Sequence, residues 1–326
     1  MPPDLRQYLQ ARRDAAAMRA KDWGKRRLRT LLEFGQRAGV DVLPRHFYSQ
    51  IPDIEGLRSE DHWKRAYTMV GVDGTEPDSQ VRFLRSVCPP ELSAELLDLN
   101  VYADACARNG AVGYGPIEAD FLYCFARTLQ PRRVVQVGAG VATAVLLRAS
   151  EDGGFPLEIV CVDPYPTEFL RDAARAKTVR LIAAKAETVD LQLLTNLRDG
   201  DLLFVDSTHT VKVGSDVNRI ILEVLPRLDK GVYVHFHDVH FPYDYSPGVL
   251  DDELFFSNET VLLHAFLIAN DRYTLRAALS MVHYARPGIL RELLPNYEPR
   301  IHVDGLRSSA TDEGHFPSSA YLRVVE

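Results

Sequence analysis

Between residues 133 and 236, four short runs of branched and aromatic residues, VVQV, IVCV, DLLFV and GVYVHF, are separated by helical stretches. This alternation constrains the fold more than any other feature of the chain. A strand with one wet face alternates apolar and polar positions. These runs are apolar at consecutive positions, as strands covered on both faces are. The strand candidates are Arg133–Val137, Glu158–Val162, Thr178–Ile182, Asp201–Val205, Gly231–Phe236 and Tyr273–Ala278. Helical stretches lie between them at about 141–150, 166–176, 190–198, 214–228 and 258–270. Strand–helix–strand alternation with short loops predicts a doubly wound α/β sheet, mostly parallel. The run SSAYLRVV supplies a last strand, antiparallel, at or near a sheet edge.

Residues 1–111 read as a mainly helical extension, a cap or an oligomerisation segment, and residues 112–326 as the α/β domain. Glu91 to Ala107 reads as one helix after Pro89-Pro90, with Leu92, Leu96, Leu97, Val101 and Ala105 apolar. Residues 1–45 hold 11 Arg+Lys and 5 Asp+Glu, a net of +6, so the rest of the chain sums to −13 within a total of −7. Leu28, Leu31 and Leu32 beside the run Lys25-Arg26-Arg27-Leu28-Arg29 predict an amphipathic helix with a cationic face. The acidic total disfavours a dedicated nucleic-acid binder. The longest apolar run, the 14 residues from Val134 to Leu147, is too short to cross a bilayer. The first residues carry no apolar stretch of the signal-peptide kind. Cys88, Cys106, Cys124 and Cys161 form no CxxC pair. A reduced, cytoplasmic protein with no membrane partner is expected.

In open α/β sheets, ligands bind beyond the carboxyl ends of the strands. After the first strand stands Gln136-Val137-Gly138-Ala139-Gly140-Val141-Ala142-Thr143. Gly138 and Gly140 allow a tight turn and close approach of a ligand to the backbone, here along Ala139. The second strand ends at Asp163, 23 residues after Gly140, where an acid commonly accepts ribose hydroxyls. Nicotinamide dinucleotides and S-adenosylmethionine both fit. The sequence GAGVAT lacks the third glycine of a diphosphate turn and has no base close by, which favours a cofactor without phosphates.

The fourth strand runs into Asp206-Ser207-Thr208-His209, and the fifth into His237-Asp238-Val239-His240. If these strands are neighbours, Asp206, His237 and Asp238 converge, with His209 and His240 nearby. Carboxylates and imidazoles in one cleft suit a divalent metal. A metal-free acid–base cluster and a structural role are the alternatives. His235 and His237 are expected on opposite sides of the sheet, one of them a core histidine.

The segments VVQVGAGVATAVLLRA, IVCVDPYP, DLLFVDSTH and GVYVHFHDVHFPYDY resemble the class I S-adenosylmethionine-dependent methyltransferases. The branch with metal-dependent small-molecule O-methyltransferases and cephalosporin-hydroxylase-like proteins is the nearest in pattern. The resemblance covers about residues 112–280, with HFYSQIPDI near residue 46. It implies a Rossmann-like methyltransferase sheet. It also implies cofactor binding by Gly138, Ala139, Gly140 and Asp163, with Asp206 at the cofactor's far side and Gln136 in place of the usual acid of the first strand. In the catechol type, metal ligands follow strands four and five, which places them on Asp206, His237 and Asp238. His237 stands where an oxygen ligand is usual, which moves preference from Mg toward Fe, Mn, Co, Ni or Zn. The base of that type lies three residues after the strand-four Asp, at His209. The expected acceptor is a small molecule of secondary metabolism, and the protein is expected to be a homo-oligomer. The aromatic segment after the fifth strand, with Tyr243, Tyr245 and Phe255, is expected to form part of an acceptor lid.

Two other functions stay open. His209, His237 and Asp206 could form the facial triad of a non-heme iron oxygenase or other redox enzyme on the same fold. A non-catalytic binding protein is also conceivable, although a cluster of unpaired polar groups is expensive to bury.

Overall fold

The computed structural model describes residues 23–245, 249–250, 255–298 and 316–326. Two compact units divide the chain, Met1–Leu57 and Arg58–Glu326. In the smaller unit, residues 23–37 are helical. Arg27 lies 3.8 Å over the Trp23 ring, and Arg29 bonds Glu33 one turn on at 2.7 Å. The predicted basic amphipathic helix is present, with Leu28 and Leu31 on its exposed surface.

The larger unit is built on seven strands: β1 (Arg133–Val137), β2 (Glu158–Val162), β3 (Arg180–Ile182), β4 (Leu202–Val205), β5 (Tyr233–Phe236), β6 (Tyr273–Ala278) and β7 (Ala320–Val324). Their order is β3-β2-β1-β4-β5-β7-β6. β3, β2, β1, β4 and β5 pair in parallel, and β7 is antiparallel to both β5 and β6. This is the expected mixed, doubly wound, Rossmann-like sheet. β7 lies one place inside the edge, which β6 occupies.

Alternate residues of each strand enter separate cores. Val134, Ile159, Leu202, Phe204, Tyr233 and Tyr321 face one side. Val135, Val160, Leu203, Val205, Val234 and Phe236 face the other. Each fully buried side chain of this size contributes about 1.5–3 kcal/mol through removal from water. The helices Pro77–Val87 and Pro116–Leu129 pack into the first core, so from Arg58 onward the N-terminal helical segment belongs to the same unit as the sheet.

Two helical expectations change. The stretch 91–107 is two helices, Pro90–Glu95 and Val101–Asn109. The chain turns through Leu96–Asn100, where Asp98 and Asn100 favour turns over helix interiors and Leu97 points into solvent. The stretch 214–228 is helical in three styles: α over Asp216–Arg219, π over Ile220–Val224 and 3-10 over Leu225–Arg227. Pro226 has no amide hydrogen to continue a regular ladder. Among the described residues no helix is long and apolar enough to cross a membrane.

Register fixes the site. Val137 of β1 lies opposite Val162 of β2 and Val205 of β4, and Val205 lies opposite Phe236 of β5. Asp163, Asp206 and His237 therefore leave the sheet side by side. Phe236 is also opposite Ala320 of β7, which brings Ser318 to the same edge.

Candidate active site at the carboxyl edge of the sheet

The glycine loop is held by backbone and by two buried side chains. Gly138 donates its amide to Val162 O at 3.1 Å and has φ of +76°. A β-carbon there would stand 2.0 Å from the carbonyl oxygen of Asp206, so only glycine fits. The loop thereby touches the end of β4. Gly140 donates its amide to Thr143 Oγ1 at 3.1 Å, which closes the first turn of the helix Val141–Gly153. Asn109, largely buried, lies against Gly140 and accepts from Thr167 Oγ1 at 3.0 Å.

Asp163 sits where the sequence put it, and its carboxylate also shapes the loop. Ala139 N donates to Oδ2 at 3.1 Å and Tyr165 N to Oδ1 at 2.7 Å. Each carboxylate oxygen has a further lone pair for a ligand hydroxyl. Gln136 is placed differently from a cofactor contact. It is fully buried on β1, and its Oε1 accepts from Thr143 Oγ1 at 2.8 Å. It braces the loop from below, because its position on the strand faces the first core. Its Nε2 has no hydrogen-bond partner among the described residues.

The second half of the site is ionic. Asp206 Oδ1 lies 3.3 Å from His209 Nε2 and 3.3 Å from His237 Nδ1. Asp238 Oδ2 lies 3.6 Å from the same two nitrogens. Asp206, His209 and His237 each offer a ligand atom within 4.8 Å of the others. Asp206 and His237 thus come together with His209, while Asp238 lies against both imidazoles without completing that set. Both His209 and Asp238 hold φ of +54°, a costly conformation for residues with side chains.

Partners from distant segments fix this arrangement. Glu259, buried at the start of the helix Glu259–Leu267, faces His209 Nδ1 with Oε2 at 2.8 Å and accepts from Ser207 Oγ with Oε1 at 2.8 Å. Ser318 Oγ donates to Asp238 Oδ1 at 2.9 Å, and Ser318 N donates to the buried Glu118 at 2.7 Å. The Tyr114 ring packs 4.8 Å from His237. Glu259, Glu118, Ser318 and Tyr114 were not singled out by the sequence. No local spacing marks them, and they reach the site only through tertiary packing.

His235 and His237 lie on the same side of the sheet, not on opposite sides. Residues two apart on a strand share a face, and Tyr114 touches both rings. His235 is the core histidine, stacked on Phe204 at 4.3 Å and bonded to Tyr114 Oη and Ser319 Oγ. Burial holds it well below the usual histidine range. His240 is buried with its ring stacked on Phe316. Of the expected lid, Tyr243 packs on Tyr284 at 5.1 Å and Phe255 is about half exposed. Residues 246–248 and 251–254 of that segment lie outside the described residues.

Burial alone would raise the carboxyl of Asp206, but hydrogen bonds from His209 and His237 outweigh it and hold the group well below the usual range. Burial would lower His209, yet Asp206 and Glu259 push it up to about 11. Against the same burial, Asp238 and Asp206 push His237 up to about 9. Three carboxylates, Asp206, Asp238 and Glu259, thus favour the charged form of the two imidazoles. A cation at this point would replace those protons.

No curated protein matches the chain by sequence. The SAH-bound methyltransferase PaMTH1 of Podospora anserina is similar at 16% identity over 88% of this chain and 99% of that one, with a TM-score of 0.39. The cofactor-bound protein Rv0187 from MTB is similar at 17% identity over 69% and 90%, with a TM-score of 0.42. At these scores neither bears on the site. The family described as a methyltransferase domain matches residues 135–239. That segment contains Gly138, Asp163, Asp206, His209, His237 and Asp238, and it is the part of the chain that is similar to a methyltransferase domain.

Proposed function

We propose that the chain transfers the methyl group of S-adenosylmethionine to a heteroatom, oxygen foremost, of a small molecule, with a metal ion held by Asp206, His237 and Asp238 and with His209 as base. The observation that carries this reading is the meeting of two carboxylates and two imidazoles beside the glycine loop. Their separations of 3.3–3.6 Å are long for charge-assisted hydrogen bonds, which run at about 2.7–2.9 Å. Ligands about 2.1 Å from one ion stand about 3.0–3.4 Å apart, a spacing that the 3.3 Å separations around Asp206 meet and the 3.6 Å separations of Asp238 exceed, so Asp238 would have to draw in to share the ion. The mixed nitrogen and oxygen donors favour a first-row transition metal or Zn over Mg.

The chemistry follows from the residues. Methyl transfer from a sulfonium is an in-line displacement, in which alignment is worth about 7–11 kcal/mol. The glycine loop and Asp163 fix the donor, while the cluster one strand away fixes the acceptor. An acceptor hydroxyl with a pKa of about 10 costs about 4 kcal/mol to ionise at neutral pH. When bound, the ion supplies Lewis acidity toward the acceptor oxygen. With a cation held by Asp206, His237 and Asp238, His209 Nε2 would give up the proton that the carboxylates keep there, and His209, backed by Glu259, would then take the acceptor's proton, a contribution of about 10²–10⁴ in rate.

A second reading of His209 has its own support. Its Nε2 stands from both carboxylates at the same 3.3 and 3.6 Å as His237 Nδ1, as a fourth ligand would. Asp206, His209 and His237 also make the two-histidine, one-carboxylate set of an iron redox enzyme. Metal analysis of tag-free protein beside S-adenosylmethionine calorimetry tests the proposal. Stoichiometric metal lost in Asp238→Ala, with cofactor binding lost in Asp163→Ala, supports it. His209→Ala that keeps the metal and loses turnover assigns the base, and loss of metal assigns a ligand. Iron with no cofactor binding overturns methyl transfer in favour of redox chemistry. A small-molecule acceptor from secondary metabolism, a cytoplasmic site of action and a homo-oligomer complete the proposal on the sequence reading alone.

A further inference from the structure

Glu259 lies 50 residues beyond His209 in the chain yet meets it at three points. Its amide donates to the carbonyl oxygen of His209 at 3.2 Å. Its Oε2 faces His209 Nδ1 at 2.8 Å. Its Oε1 accepts from Ser207 Oγ at 2.8 Å, and Ser207 Oγ in turn accepts from the amide of His209 at 3.0 Å. Glu259 is 1% exposed, so water offers its carboxylate no alternative partner.

We propose that Glu259 is a positioning residue that keeps the proton of His209 on Nδ1 and aims Nε2 into the Asp206–Asp238 cluster. A carboxylate only accepts, so the ring nitrogen facing it must donate. With Nδ1 committed as the donor, Nε2 is the nitrogen that faces the site and gives up its proton there to a cation or to the reaction. The contacts through Ser207 and the backbone hold the left-handed turn at His209, which a residue with a side chain does not adopt without support. The inference rests on the reading of His209 as a working group of the site, and it holds whether His209 is base or ligand. In the second case Glu259 orients a ligand through its other ring nitrogen.

The test uses the full chain labelled with ¹⁵N-histidine and compares wild type with Glu259→Gln and Glu259→Asp. Wild type should show a downfield, slowly exchanging proton on His209 Nδ1, with or without metal. Glu259→Gln should lose that signal and, with S-adenosylmethionine affinity unchanged, lower kcat about 10- to 100-fold if His209 is the base. If His209 is a ligand, metal affinity should fall by the same factor. Glu259→Asp should restore part of the signal and part of the lost function, and it serves as the main variant if Glu259→Gln does not fold. An unchanged Nδ1 proton with unchanged kcat and metal affinity in Glu259→Gln, beside an impaired His209→Ala, overturns the role of Glu259 alone. A His209→Ala protein with full turnover and full metal overturns both this role and the reading of His209 beneath it.

Discussion

The two halves of the carboxyl edge are built from opposite materials. At β1 and β2, the polar groups are main-chain amides of uncharged loop residues, gathered by Asp163, Thr143 and the carbonyl of Val162. At β4 and β5, they are the charged side chains of Asp206, His209, His237 and Asp238, paired with one another at 3.3–3.6 Å. A rigid backbone cradle suits a large ligand of constant shape. A ring of charges suits a small ion and whatever that ion contacts. They meet at Gly138, which packs against the carbonyl of Asp206, and at the Asp206 amide, which donates to Val137 O at 2.8 Å.

The comparison breaks most sharply at Asp206. Asp206→Ala should remove the metal and lower kcat by about 10³-fold or more, while S-adenosylmethionine affinity changes little. Metal analysis and calorimetry on one preparation would show the split, and equal loss of both ligands would mean that the two halves are not separable. Gly138→Ala should act on both at once. With φ of +76° and a carbonyl 2.0 Å from the new methyl group, it should cost about 3 kcal/mol of stability, seen as a drop in Tm, and disable both halves together.

Asp163→Ala should confine its effect to the cradle. Loss of two charge-assisted bonds to backbone amides should weaken S-adenosylmethionine binding about 100-fold with metal content unchanged. The smallest effect is a control outside both regions. Asp120 is buried in the helix Pro116–Leu129, and burial pushes its carboxyl up to about 6 against the help of Asn296. Below about pH 4 both folded and unfolded chains hold this proton, so it has no effect. Between there and pH 6 the unfolded chain releases the proton first and stability falls, and above pH 6 the loss is constant. Asp120→Asn should therefore raise stability at neutral pH by about 2 kcal/mol, a gain that fades as pH falls from 6 to 4. Denaturant melts at pH 4 and 7 would measure it, and neither ligand should bind differently.

The sheet was legible because buried strands have few ways to be written. β1, β2 and β6 begin and end at the predicted residues, and β3, β4 and β5 are trimmed by one or two residues at their starts. The glycine loop, Asp163 and the four residues of the charged cluster were legible because parallel neighbours must deliver their carboxyl ends to one edge. Gln136, expected at the cofactor, is fully buried on the face of β1 that Val134 shares and bonds Thr143 there, a partner no local spacing announces. The break at Leu96–Asn100 was hidden by a spacing of leucines that still satisfies a helix. Glu259, Glu118 and Ser318 were invisible for a deeper reason. Each is polar, each stands in or just before the start of an unrelated element, and its use depends on which surfaces the completed fold presses together.

β7 sits between β5 and β6 and supplies the partner of Asp238 through Ser318, the residue two before the strand. As the chain is synthesised, β6 emerges before β7 yet has no neighbour in the sheet until β7 arrives. The edge of β5, and with it the charged cluster, must wait open until residues 318–324 have been translated. Assembly of this edge is therefore a late event in the life of the nascent chain, and a ribosome stalled short of these codons would display the glycine loop without Ser318 on Asp238.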